Sequence, residues 1–373
     1  MLVVVSALGD STETAPDAET SLAGAATPAL DLIARRGRAG VADLGAASPW
    51  EGFTALLGIA PGAAALGPVE ALGAGVPLRA GDLAWRADFV TTDDAGLQDP
   101  FGGGVREPEA GALLRAAGEA LPGVLLRRLE GHRNLLVAPG DGGAPEFAPT
   151  PFEMIGKPPA AGLVEGGILR AWFAAAAAAL APHDVNRVRV DLGENPANAL
   201  WFHGGGAAVS VPVASALPRT GVVLVGRGAV TTGLARALGA TPVVVDGDDD
   251  ALAAAVIDAL RESAFVVVRT ESLLAAQARG GPDGKREATS ALDARLVRPV
   301  LGVLEECGDF AIAVASDGVT DPRTGLYSRA GAPCAVLRSE DGNDGVPRFT
   351  ESACARSGFH VAPGAGLLSL LGG

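Results

Sequence analysis

The feature that most restricts the fold lies in the C-terminal half, where short apolar runs alternate with longer helical ones. Val222–Val225, Pro242–Val245, Phe265–Arg269, Phe310–Ala315 and Cys334–Leu337 are short and mostly apolar. Such runs fit strands buried on both faces, because a half-exposed strand alternates apolar and polar residues. Thr232–Leu238, Asp249–Glu262 and Ser290–Cys307 carry helical patterns between most of them. Asp249 and Asp250 suit a first helical turn, where the dipole favours negative charge. This alternation predicts an α/β fold with a mostly parallel sheet flanked by helices.

Leu2–Ser6 reads as a further buried strand, and Pro28–Arg36 as a helix with Thr27 at its N-cap. From about Gly67 to Ala199 the rhythm changes. Trp85–Thr92 alternates as a strand, and Glu107–Leu121 is an amphipathic helix with Pro108 in its first turn. Val124–Glu130 and Arg133–Ala138 suggest a hairpin around Gly131-His132, and Leu163–Ala181 a long helix stopped by Pro182. Pro/Gly-rich connectors run through Gly140–Pro151 and Gly156–Gly162. The expected organisation is an α/β domain built from residues 1–66 and 200–373, interrupted by a smaller α+β domain at 67–199.

Composition narrows the partners. A net charge of −14, with lysine only at 157 and 285 and no Lys/Arg block, argues against nucleic acid and anionic lipid. No apolar run approaches the roughly 20 residues of a membrane span. The apolar start lacks the basic flank of a signal peptide, so a cytoplasmic location is expected. Cys307, Cys334 and Cys354 are widely spaced, which fits reduced thiols and offers no zinc spacing.

Several segments, in order along most of the chain, resemble the archaeal-type cofactor-independent phosphoglycerate mutases of the alkaline phosphatase superfamily. Thr27-Pro28-Ala29-Leu30-Asp31-Leu32-Ile33-Ala34 is similar to the family's "TPNLD-LA" helix, and Leu57-Gly58-Ile59-Ala60-Pro61 to its "LGYDP". Gly67-Pro68-Val69-Glu70-Ala71 and Gly81-Asp82-Leu83-Ala84-Trp85-Arg86-Ala87-Asp88-Phe89 resemble "GP-EA … GDIAFRCNF". Asn186-Arg187-Val188-Arg189 and Asn195-Pro196-Ala197-Asn198-Ala199-Leu200-Trp201 resemble "NR-R … PAN-IW". The resemblance implies an alkaline-phosphatase-like sheet. It also implies isomerase chemistry, in which phosphate moves through a phosphoserine assisted by two divalent metals.

At the positions this chemistry needs, the sequence departs from the pattern. Ser6 stands where the family opens with a ligand Asp, and Asp10 matches the second, non-ligand Asp. The nucleophile segment falls on Pro49-Trp50-Glu51-Gly52-Phe53, which leaves the adjacent Ser48 as the one candidate nucleophile. The "D---GH" segment falls near Thr270–Ala276 without a histidine, and "DH-TP" reads Asp317-Gly318-Val319-Thr320-Asp321. The last ligand His aligns near Tyr327. His132, His183, His203 and His360 all lie outside any D-H or H-x-x-x-H context, so no metal ligand is expected. Two divalent metals (Mn, Mg or Zn) enter only if the chain is a working mutase.

Asp317 is well placed, since α/β sheets bind ligands beyond the carboxyl ends of their strands. Arg86, Arg133 and Arg189 are expected on or beside strands, where a guanidinium suits a carboxylate or phosphate. Ser6, Ser48 and Asp317 are expected to converge at the carboxyl edge of the sheet. A strand running into Gly226-Arg227-Gly228 and a later Asp246 also imitates a dinucleotide fingerprint, though Thr231 holds its third glycine position.

The expected function is a divergent family member that binds a small phosphorylated or carboxylated metabolite, with the two-metal chemistry lost or rebuilt. The alternatives are an active mutase interconverting 3- and 2-phosphoglycerate, and a non-catalytic partner of another enzyme. Oligomeric state stays open.

Overall fold

A computed structural model describes residues 1–13, 20–46, 48–140, 144–209, 215–342, 345–362 and 366–371. The chain divides into two compact units. The first comprises Met1–Ala63, Val211–Arg227 and Ala235–Gly373, and the second Ala64–Ser210 with Gly228–Leu234.

The first unit is built on an eight-stranded sheet. Its spatial order is Thr241–Val244, Val222–Gly226, Phe265–Thr270, Leu2–Val5, Ala311–Ser316, Ala332–Arg338, Arg38–Ala42 and His360–Val361. The first five run parallel, and Leu2–Val5 sits between Phe265–Thr270 and Ala311–Ser316. That central place explains its unbroken apolar run: all four residues are at most 1% exposed. Ala332–Arg338 is antiparallel to both neighbours. The edge strand Thr241–Val244 contains Pro242, in the position where a sheet tolerates proline. Leu30, Ile33, Leu252, Val256, Leu296 and Leu301 pack in one apolar core with this sheet.

Three local expectations are corrected. The helix placed at Ser290–Cys307 begins far earlier. Ser272–Leu292 is helical, a π turn covers Asp293–Val297, and Arg298–Cys307 follows. The Gly280-Gly281-Pro282 sequence reads as a breaker. Gly281, at φ 59° and ψ −149°, breaks the helical stretch there, and a second one starts at Pro282. Thr27 holds the N-cap position of Pro28–Arg36 but makes no side-chain cap bond. The buried Asp293 carboxylate accepts from Ala29 N and Leu30 N instead, at 3.0 and 2.8 Å. Finally, the helix read at Leu163–Ala181 spans Ile168–Leu180.

The second unit carries an antiparallel sheet in which Leu83–Asp93 lies between Arg133–Ala138 and Ala199–Ala207. Helices Glu109–Ala120 and Ile168–Leu180 pack with it through Trp85, Phe89, Leu113, Leu169 and Trp201. Ala199–Ala207 pairs here rather than in the α/β body, where a boundary at residue 200 placed it. Its apolar run reads the same in either sheet. No helix among the described residues is long and apolar enough to cross a membrane.

Candidate functional site

The carboxyl end of the parallel strands in the first unit brings together residues far apart in sequence. Asp317 follows Ala311–Ser316 directly, and Ser6 follows Leu2–Val5. The Ser6 hydroxyl donates to Asp317 Oδ2 at 2.6 Å, and Ala7 N donates to Oδ1 at 3.1 Å. Ala7 holds φ +57° to do so, a left-handed conformation that costs a non-glycine residue about 1 kcal/mol. Ser6 and Asp317 are both fully buried.

Arg269, near the end of Phe265–Thr270, supplies the positive charge. Its guanidinium lies 2.7 Å from Glu271, 3.8 Å from Asp317 Oδ2 and 3.3 Å from the Ser6 hydroxyl. It sits over the Phe53 and Trp50 rings at 5.0 and 5.8 Å. Burial pushes the Asp317 carboxyl up to about 7, against the pull of Arg269, the Ser6 hydroxyl and the Ala7 N–H.

Ser48 belongs to the helix over this site but acts in its backbone. It caps Pro49–Leu56, accepting from Glu51 N at 3.2 Å. The helix passes so close that a Cβ on Gly52 would lie 1.7 Å from the Asp317 carbonyl oxygen. Ser48→Ala is therefore expected to cost about 1 kcal/mol in urea unfolding, the usual loss for a cap. Tyr327, where the resemblance puts a ligand histidine, donates its hydroxyl to the Asp317 carbonyl at 2.7 Å.

A second buried polar group surrounds Lys285, which is fully buried. Its ammonium donates to Asp10 Oδ1, to Gly9 O at 3.2 Å and to Thr320 Oγ1 at 2.8 Å. Glu351 accepts from Asp10 N and from the Thr20 hydroxyl, at 2.8 and 3.0 Å. Burial pushes the Glu351 carboxyl up to about 7. Sequence reading passed over both cations. Lys285 sits in a Gly-, Pro- and charge-rich stretch that looks like surface, and Arg269 ends an apolar run as many surface-reaching residues do. The scarcity of lysine was the available signal.

These carboxyls set a pH dependence. Asp317 and Glu351 keep protons in the folded state up to about pH 7 that the unfolded chain releases near pH 4. The folded state then binds more protons across that window, so stability falls as pH rises through it. The Met1 ammonium, lowered by burial to about 6, acts oppositely between about pH 6 and 8. Urea midpoints are expected to be higher at pH 5 than at pH 7, with a smaller difference in Asp317→Asn.

The arginines read as substrate-binding are already engaged in the second unit. Arg86, on Leu83–Asp93, makes a two-pronged buried ion pair with Glu70. Arg189 lies on the helix Asp184–Asp191, not by a strand; it pairs with Glu109 at 2.7 Å and donates to Gly103 O and Asn195 O. Arg133 begins the strand Arg133–Ala138 and lies 3.2 Å from Glu130. His203, inside Ala199–Ala207, is 2.9 Å from Asp88 Oδ2. Burial pushes the Asp88 carboxyl up. The His203 hydrogen bond and the charges of Arg86, His132 and His203 outweigh this and bring it to about 2. The dinucleotide-like turn holds a carboxylate rather than room for phosphate: a Cβ on Gly228 would lie 2.2 Å from Glu130 Oε1.

A mostly parallel α/β sheet with polar residues gathered at its carboxyl edge is a frame that many ligand-binding proteins and enzymes share, and comparison with known proteins narrows it. The family model described as 2,3-bisphosphoglycerate-independent phosphoglycerate mutase matches residues 54–186. The protein of that name from Ignicoccus hospitalis is 31% identical, over 90% of this chain and 87% of its own. That from Methanosarcina acetivorans is 28% identical over 94% of each chain. The cofactor-independent phosphoglycerate mutase structure from Thermoplasma acidophilum shares the fold, with a TM-score of 0.54 at 23% identity over 99% of this chain and 98% of that one. The chain belongs to the 2,3-bisphosphoglycerate-independent phosphoglycerate mutase family.

The residues present do not fit the metal pair that the resemblance implies. Two dications need a dense set of carboxylates and imidazoles. Here Asp317 is bonded to a hydroxyl and an N–H, faces a guanidinium and resists ionisation. Among the described residues no group of three or more His, Cys, Asp or Glu is arranged to hold a metal.

Proposed function

We propose that this chain binds a small phosphorylated carboxylate of the phosphoglycerate class and does not run the two-metal phosphoserine transfer. The observation that carries the second half is the state of Asp317, whose two oxygens are taken by Ser6 and Ala7 beside the Arg269 guanidinium. The ligand class rests on the relatives, which are named for phosphoglycerate and align over about nine-tenths of both chains. Anion binding at Arg86 or Arg189 would have to displace Glu70 or Glu109, so those arginines do not carry the proposal.

The same relatives favour a second reading, an active mutase interconverting 3- and 2-phosphoglycerate. Two measurements decide. Thermal melting with 3-phosphoglycerate should show stabilisation, about 2.7 kcal/mol at a hundredfold excess over the dissociation constant. Turnover of 3-phosphoglycerate in Mn²⁺ should stay at background. Metal-dependent turnover with a phosphorylated serine establishes the second reading, and no shift with any phosphoglycerate removes the first.

A further inference from the structure

We propose that the Arg269 guanidinium takes the place of a divalent cation at the carboxyl edge of this sheet, and that removing it turns the pocket into a divalent-cation site. Arg269 pairs in register with Val4, two residues before Ser6, so its side chain starts at the same edge. It stands between two carboxylates, Glu271 at 2.7 Å and Asp317 at 3.8 Å, with the Ser6 hydroxyl at 3.3 Å. Glu271 repels the ionised Asp317. The guanidinium bridges these two acidic side chains, and taking it away would leave them facing each other in a buried site.

The ring faces of Trp50 and Phe53 hold the guanidinium in place, and its Nε is buried without a hydrogen-bond partner among the described residues. Charge and stacking retain this group more than a full set of hydrogen bonds does. Truncation would leave two carboxylates and a hydroxyl facing one vacated space. These are hard oxygen donors, the kind that suit Mg²⁺ or Mn²⁺. A dication would replace one positive charge with two between two negative ones. The inference rests on the Asp317 half of the proposed function and not on the ligand.

The test is Mn²⁺ binding by titration calorimetry at pH 8. Wild type, Arg269→Ala, Arg269→Lys and Arg269→Ala/Asp317→Asn are compared. Arg269→Ala should bind Mn²⁺ more tightly than wild type by about tenfold or more, and its melting temperature should rise with Mn²⁺. Arg269→Lys, which keeps the charge, should behave as wild type, and the double variant should lose the gain. If Arg269→Ala does not stay folded, its refolding yield with and without Mn²⁺ is the readout, and equal yields overturn the inference. A metal-free wild type whose Arg269→Ala variant gains no Mn²⁺ affinity overturns it alone. A wild type that retains stoichiometric metal after dialysis and turns over 3-phosphoglycerate overturns it together with the proposed function.

Discussion

Lys285→Met is expected to lower the unfolding free energy by about 3–5 kcal/mol, the loss typical of stranding a buried charge. The ammonium is fully buried and serves three acceptors on two distant parts of the chain: Gly9 and Asp10, and Thr320. Methionine has similar length and packs well, so the loss isolates charge and hydrogen bonding from volume. Asp10 would stay buried beside Glu351 with no cation between them. Asp10→Asn in the same chain removes the stranded charge, so the deficit should be largely recovered in the double variant. Urea unfolding of both variants at pH 7.5 reads this. A double variant as unstable as Lys285→Met would mean that packing dominates.

Arg86→Met is expected to cost a similar amount, about 3–5 kcal/mol, by stranding the Glu70 carboxylate. Side-chain exposure is 8% for Arg86 and 2% for Glu70, so water cannot take over the lost partner. Adding Glu70→Gln should restore most of the stability, because a well-packed neutral pair is often as good as a buried ion pair. The same experiment separates structural from ligand-binding roles. An arginine kept for an anionic metabolite would lose the phosphoglycerate-induced melting shift with little change in stability. Arg86→Met/Glu70→Gln is expected to keep that shift.

How far the sequence speaks depends on the kind of information each residue carries. The parallel strands were readable because burial on both faces removes every polar residue, as in Val222–Val225 and Phe265–Val268. Ala311–Ser316 followed by the same logic, whereas Thr241–Val244, read as buried, is a half-exposed edge strand. Arg38–Ala42 was missed, since five residues that include an arginine and a glycine carry no period. The antiparallel direction of Ala332–Arg338 is likewise absent from its own residues, as the neighbours and the connecting chain set it.

At the candidate site, Asp317 and Ser6 were legible through motif spacing, because loops at strand ends keep their order in sequence. Arg269 and Lys285 were not. Lys285 is buried against Gly9 and Asp10, and Arg269 beside Ser6, all more than 260 positions away, and nothing local marks either burial. Arg189 was misplaced for a related reason. The run Asn186-Arg187-Val188-Arg189 fits either periodicity, and the helix is decided by His183 accepting from Val185 N at its start.

The borders of the large sheet bear on how this chain behaves when crowded. One border strand is four residues long and interrupted by Pro242, and the opposite one, His360–Val361, has two residues. A neighbouring molecule that tries to extend the ladder from either side meets a short or broken template, which is how open sheets resist fibrous growth. A sheet of mostly long-range parallel pairings assembles slowly, and blunt margins of this kind protect it while it does.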